Sequence, residues 1–169
     1  IEEASTNLYP DSVNFASANW LTVRALSAPV TGETAPDGSA EASLLTCENT
    51  TGSNTVYIQE AVTLAVASIP YTFSIFAKAG TDDWLAIQHQ GFTIANGISY
   101  FDLTNGVTGT VGTSHDSTGI EAYGNGWYHC WVTITIGTDV TGNMQFLMAQ
   151  ANSDSSIPLD GTHTVRLWG

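Results

Sequence analysis

Gly124-Asn125-Gly126-Trp127-Tyr128-His129-Cys130-Trp131-Val132-Thr133-Ile134-Thr135-Ile136 is the stretch that decides the fold class. A glycine-rich turn feeds a run of aromatic and β-branched residues, side chains that suit a pleated, half-buried strand. Side chains of a strand alternate between faces, which puts Tyr128, Cys130, Val132, Ile134 and Ile136 on one side and His129, Trp131, Thr133 and Thr135 on the other. The first set is a core face. The second is polar apart from Trp131, and a flat indole among hydroxyls and an imidazole suits stacking on a partly polar body such as a sugar ring. The other reading covers Trp131 with a loop or neighbouring strand of the same domain.

The same alternation recurs outward from this stretch. Residues 70–80 bury Tyr71, Phe73, Ile75 and Ala77 and leave Thr72, Ser74, Phe76 and Lys78 opposite. Residues 84–90 bury Leu85, Ile87 and His89 and expose Trp84, Ala86, Gln88 and Gln90. In 55–65, Val56, Ile58 and Val62 point inward and Tyr57 and Gln59 outward; Glu60 then falls inside, which predicts a bulge nearby. Residues 98–103 and 106–112 form a hairpin about Thr104-Asn105-Gly106. Residues 20–24, 41–47, 143–150 and 162–168 supply further strands, while 48–54 and 152–161 read as polar loops. Helical periodicity is nearly absent, and the total is about ten strands at sandwich spacing. The pattern predicts an all-β fold, a jelly-roll β-sandwich of two antiparallel sheets, in one domain spanning residues 1–169.

Composition narrows the function. Sixteen acids face only Arg24, Lys78 and Arg166, for a formal net charge of −13. Such a surface repels nucleic-acid backbones and anionic membranes, both of which demand clustered Lys and Arg. A neutral partner fits best. No apolar run is long enough to span a bilayer, and Ile1-Glu2-Glu3-Ala4-Ser5-Thr6 has no signal-peptide pattern. Cys47 and Cys130 lie in β-rich sequence and could be buried thiols or one bridge; free, buried thiols are the preferred reading because the core needs no staple.

Several phrases then carry a family resemblance: Asn7-Leu8 with Phe15 and Trp20, Ala35-Pro36-Asp37-Gly38, Tyr71-Thr72-Phe73-Ser74 with Lys78-Ala79-Gly80, Tyr100-Phe101-Asp102-Leu103, Gly124 through Cys130, and Leu167-Trp168-Gly169. In this order they resemble the jelly-roll, carbohydrate-binding-module-like domains of bacteriophage tail and fibre proteins and of bacterial surface proteins. The resemblance implies a glycan-binding, non-catalytic sandwich on a larger virion appendage or secreted polypeptide. This chain departs from it at His129, where members carry Arg, and at Trp131, where they carry a small polar residue.

The expected site gathers Tyr57, Gln59, Phe76, Lys78, Trp84, Gln88, His129 and Trp131 on one concave sheet, with Trp131 and Trp84 stacking on rings of a polysaccharide or oligosaccharide. Gln59, Gln88, His129 and Lys78 would bond its hydroxyls. The chain is expected not to be an enzyme. A glycosidase needs two carboxyls across a cleft, and Glu60, Asp102 and Glu121 share no strand face. Lys78-Ala79-Gly80 and Gln88-His89 are faintly similar to signatures of jelly-roll alginate lyases, but in reversed order, and three cations are too few to neutralise uronates. The competing function is structural: a fibre domain that oligomerises through its exposed rings. Sandwich modules of this kind often hold a structural calcium, for which Glu2, Glu3 and Asp160 are the oxygen donors by type.

Overall fold

The alternation in the decisive stretch is realised as a strand in which Cys130, Val132 and Ile134 are sealed inside while His129, Trp131 and Thr133 lie on the opposite face. The structure is a computed structural model that describes residues 11–29, 33–40 and 42–169. Among them are fourteen strands: β1 Leu21–Val23, β2 Ala25–Pro29, β3 Ser43–Cys47, β4 Asn49–Asn54, β5 Tyr57–Thr63, β6 Pro70–Ala79, β7 Trp84–Gly91, β8 Gly97–Asp102, β9 Val107–Thr108, β10 Ser117–Gly124, β11 Trp127–Thr135, β12 Thr141–Ala149, β13 Ile157–Asp160 and β14 Thr164–Trp168.

Sheet I has the order β1-β5-β12-β7-β8-β9, and sheet II the order β10-β11-β6-β14-β3-β2. All their pairings are antiparallel. Without the edge strands, the chain visits β3 in sheet II, β5 in I, β6 in II, β7 and β8 in I, β11 in II, β12 in I and β14 in II. These eight strands alternate between the sheets as in a jelly roll, the fold expected from the sequence with about ten strands. The inner faces meet in one apolar layer that includes Leu45, Ile58, Ile75, Leu85, Ile87, Phe101, Val132, Phe146 and Val165. Phe15 and Trp20 plug its rim edge to face, with ring centroids 4.9 Å apart, and Trp20 Nε1 donates to the Asp11 carbonyl.

Four local expectations are corrected. Residues 20–24 do not form one strand, because Arg24 takes a positive φ of 53° and turns the chain between sheets, sending β1 to sheet I and β2 to sheet II. The two presumed loops, 48–54 and 152–161, each contribute a strand, and β4 and β13 pair with each other. Their backbones satisfy one another while the side chains of β4 stay in solvent, so no apolar alternation marks that strand. The register of β5 runs through Glu60↔Met144 unbroken, so the expected bulge is absent. Ala86, expected exposed, is sealed in a satellite cluster with Tyr100, Leu147 and Ala149 on the outer face of sheet I. Cys47 and Cys130 are free and buried, as expected, and burial pushes the Cys130 thiol well above the ordinary range.

Candidate functional site

Residues paired across an antiparallel ladder share a face, so the register places each of the eight expected site residues. On β5, Tyr57 and Gln59 oppose Leu147 and Gln145 of β12; on β7, Gln88 opposes the same Gln145, and Trp84 opposes Ala149. These four lie on the outer face of sheet I. Phe76 and Lys78 of β6 lie beside His129 and Trp127 of β11, and Trp131 lies opposite Ser74, on the outer face of sheet II. The expected set therefore divides four and four over opposite sides of the sandwich. The single concave site is corrected to two separate surfaces.

The sheet II surface is a strip of rings. His129 stacks on Phe76 at 4.8 Å between centroids and leads on to Trp131 at 5.3 Å, while Tyr123 and Trp168 meet Phe76 edge to face at 4.9 and 5.3 Å. Packing among these rings lowers the affinity of His129 for a proton, with the carboxylate of Glu121 opposing. Trp131 lies across Gly119, where a Cβ would come 2.0 Å from Cζ2 of the indole. Gly119→Ala is expected to dislodge the ring and cost about 1–3 kcal/mol of stability, read as a lowered urea midpoint with altered near-UV dichroism. Lys78 is engaged by an ion pair: its Nζ lies 2.6 Å from Glu33 Oε1, and the other oxygen of Glu33 lies 3.1 Å from Arg166 Nε.

The sheet I surface is a row of amides between rings. Gln145 Nε2 donates to Gln59 Oε1 at 2.8 Å, and Gln88 stands beside Gln145 on the next strand. Asn143 and Gln90 pair one step further along. With Ala61, Asp139 and Thr141, and the backbone of Gly91 and Gly142, they line an open cleft of about 410 Å³. Tyr57, Trp84 and Ile98 border the opposite end. Sequence reading missed Gln145 and Asn143, although both alternate with the buried Met144 and Phe146 in the strand expected there.

The acids do not converge. Glu60 is buried at the rim with Oε2 unpartnered, and burial, aided by Asp11, raises its pKa. Asp102 closes the turn after β8: burial raises its pKa, but hydrogen bonds from Asn105 and the backbone N–H of Thr104 outweigh this and hold it below the usual range. Glu121 stands exposed opposite His129 on β10. Asp160, one of the expected calcium donors, accepts from the backbone and hydroxyl of Thr162. Glu2 and Glu3 lie outside the described residues, and among those described no three His, Cys, Asp or Glu side chains gather around a cation-sized space.

A different constellation lies inside the sandwich, and the sequence reading caught only its His89. His89 Nε2 meets the Ala95 carbonyl at 3.0 Å, His89 Nδ1 meets His115 Nε2 at 3.0 Å, and His115 Nδ1 meets Ser99 Oγ, which accepts from Gly112 N–H. A carbonyl only accepts, so with both rings neutral every proton in the chain is placed. His89 and His115 each carry theirs on Nε2, and Ser99 donates to His115. The order serine, base, orienting group matches that of a hydrolase nucleophile, but Ser99 is fully buried.

Comparisons with known proteins bear on the fold. No protein-family model matches the chain, and no curated protein does. Among the described residues no helix is long and apolar enough to cross a membrane. The fold is similar to a solved structure from bacteriophage CBA120, the enzymatically active domain of tailspike protein 4, with a TM-score of 0.56 at 9% identity. The match covers 96% of this chain but 20% of that one, so this chain spans about a fifth of the length of the tailspike chain. The expectation that the chain is not an enzyme is corrected by this finding, since the solved structure sharing the fold is described as enzymatically active. What the comparison establishes is an all-β sandwich of two antiparallel sheets, the architecture derived above from register alone.

Proposed function

We propose that this chain is a carbohydrate-recognition domain of a phage tail or fibre appendage, displayed on the virion surface, and that an uncharged polysaccharide lies along the outer face of sheet I. One observation carries the reading: Gln88, Gln90 and Asn143, whose amides make no hydrogen bond to any described residue, share a face with the Gln59–Gln145 pair and end at Trp84 and Tyr57. Amides both donate and accept, which matches the dual character of sugar hydroxyls, and the rings offer apolar faces to the C–H side of a pyranose. Charge selects against acidic glycans. Of the three cations, Lys78 and Arg166 are both paired to Glu33 on sheet II, and Arg24, at the corner after β1, points Nη1 at the Thr55 carbonyl. The likeness to the tailspike domain supports the phage setting.

The sheet II strip is less suited, because its rings are largely spent on one another. The test is retention on an array of bacterial polysaccharides, neutral and acidic. Retention on neutral glycans alone is expected; retention confined to acidic ones, or to none, contradicts the proposal. The same incubation is read for new reducing ends, the product of hydrolysis, and for unsaturated ends, the product of a lyase.

A further inference from the structure

We propose that the buried chain Ser99, His115, His89 is a pH-sensitive latch that holds residues 109–116 against Trp84, so that acid loosens the saccharide face. The inference rests on the reading of sheet I given above.

Residues 109–116 cross from one sheet to the other. At the sheet I end, Gly109 N–H donates to the Tyr100 carbonyl at 2.8 Å, and Thr110 N–H donates to Asn152 Oδ1 at 2.7 Å. Gly109 sits so close to the indole of Trp84 that a Cβ there would come 2.7 Å from Cζ3. At the sheet II end, Asp116 N–H donates to the Thr133 carbonyl. Between these anchors the segment is held by Gly112 N–H on Ser99 Oγ and by His115 on Ser99 and His89. Gly97 makes room for this packing: a Cβ there would come 2.3 Å from Ser114 Oγ and 2.9 Å from His89 Cε1.

The latch is closed only while both rings are neutral. A proton added to His115 Nδ1 reverses its bond with Ser99, one added to His89 Nδ1 reverses the His89–His115 and His115–Ser99 bonds together, and either leaves a charge among buried neighbours. Burial, and then the neighbouring His89, lowers the pKa of His115 from 6.5 to about 4, with Asp116 opposing; burial also lowers that of His89. The groups facing the pair from β8 and β12 are Gly97, Ser99 and Met144, which carry no charge. The sign follows directly. The opened segment binds a proton at the ordinary histidine value and the closed one does not, so closure is fully favoured above pH 6.5, weakens as pH falls, and levels off below about 4.

The test is nuclear magnetic resonance of the whole chain from pH 7.5 to 4, without sugar. At pH 7.5 both imidazoles are expected to carry the proton on Nε2 and none on Nδ1. Below pH 6.5 the protection factor of the Gly112 amide should fall about tenfold per pH unit, and the Trp84 indole signal should move with it. A proton on Nδ1 of either ring at pH 7.5, or a Trp84 signal that stays fixed while His115 titrates, would overturn the latch. In His115→Gln, the fall of Gly112 protection with pH should become shallower, because only His89 is left to take up a proton on opening; an unchanged slope overturns the assignment to His115, and if that variant does not fold, the tautomers of the unaltered protein decide. Absence of any array glycan retained at pH 7.5 would remove the saccharide reading alone, because the ring and indole signals judge the latch without a ligand.

Discussion

Trp84→Ala is expected to weaken retention of a neutral glycan by about 2–3 kcal/mol, roughly 30- to 150-fold in Kd. Trp84 borders the amide row at the edge where the satellite cluster of Tyr100, Ala86 and Leu147 ends. Its ring is partly exposed and is held in place by Gly109, so it offers a preset stacking face whose ordering is already complete before a sugar arrives. Trp84→Phe should recover part of the loss by keeping an aromatic face. Isothermal titration with a glycan selected on the array measures both, with a urea curve confirming that each variant is folded. A Kd unchanged in folded Trp84→Ala would move the site away from sheet I, and Trp131→Ala, on the other face, should leave Kd unchanged.

Trp127→Ala is expected to cost about 3–5 kcal/mol of folding stability, the range for removing a large buried aromatic side chain. Trp127 opens β11 and belongs to its outer face, yet it is only 1% exposed. It packs with Ala35 and Ala42, and its Nε1 donates to the Thr34 carbonyl at 2.9 Å. Glu33, just before that carbonyl, pairs with Lys78 and Arg166. Losing the indole therefore empties a cavity and unties the end of the segment that covers it. The urea midpoint should drop sharply, and limited proteolysis should begin within residues 33–40. Lys78→Met, which removes only one arm of a partly exposed ion pair, should cost far less, about 1 kcal/mol or below.

Alternation within a strand is a local property, and it was legible: the inner and outer sets of residues 70–80, 84–90 and 127–135 fall where period two puts them. Sheet membership is not local. Tyr57 and Phe76 each read as an outward ring on a strand, but β5 and β6 lie in different sheets, and nothing in either segment says on which side of the sandwich it ends. That is why one expected site became two faces. The corner at Arg24 was hidden because a positive φ is unusual for arginine, so no glycine or asparagine announced it. Strands β4 and β13 were hidden because their pairing satisfies the backbone without burying the side chains of β4. Trp131 was expected either to stack on a ligand or to lie under a loop, and it does something between: it lies half-buried across Gly119, a contact made by the neighbouring strand through a residue with no side chain. Gln145 could have been found by extending the alternation of Met144 and Phe146 to their partners. The His89–His115 pair could not, since the two residues lie 26 positions apart and meet only when the sandwich closes.

The most direct measurement of the central claim follows the side-chain amide signals of glutamine and asparagine while a neutral polysaccharide fragment retained on the array is titrated in. The account predicts that the Nε2 groups of Gln59, Gln88 and Gln145 and the Nδ2 group of Asn143 shift together with the Trp84 indole, while the Trp131 indole stays in place. Shifts confined to Trp131, His129 and Tyr123, with the amide row unmoved, would contradict it.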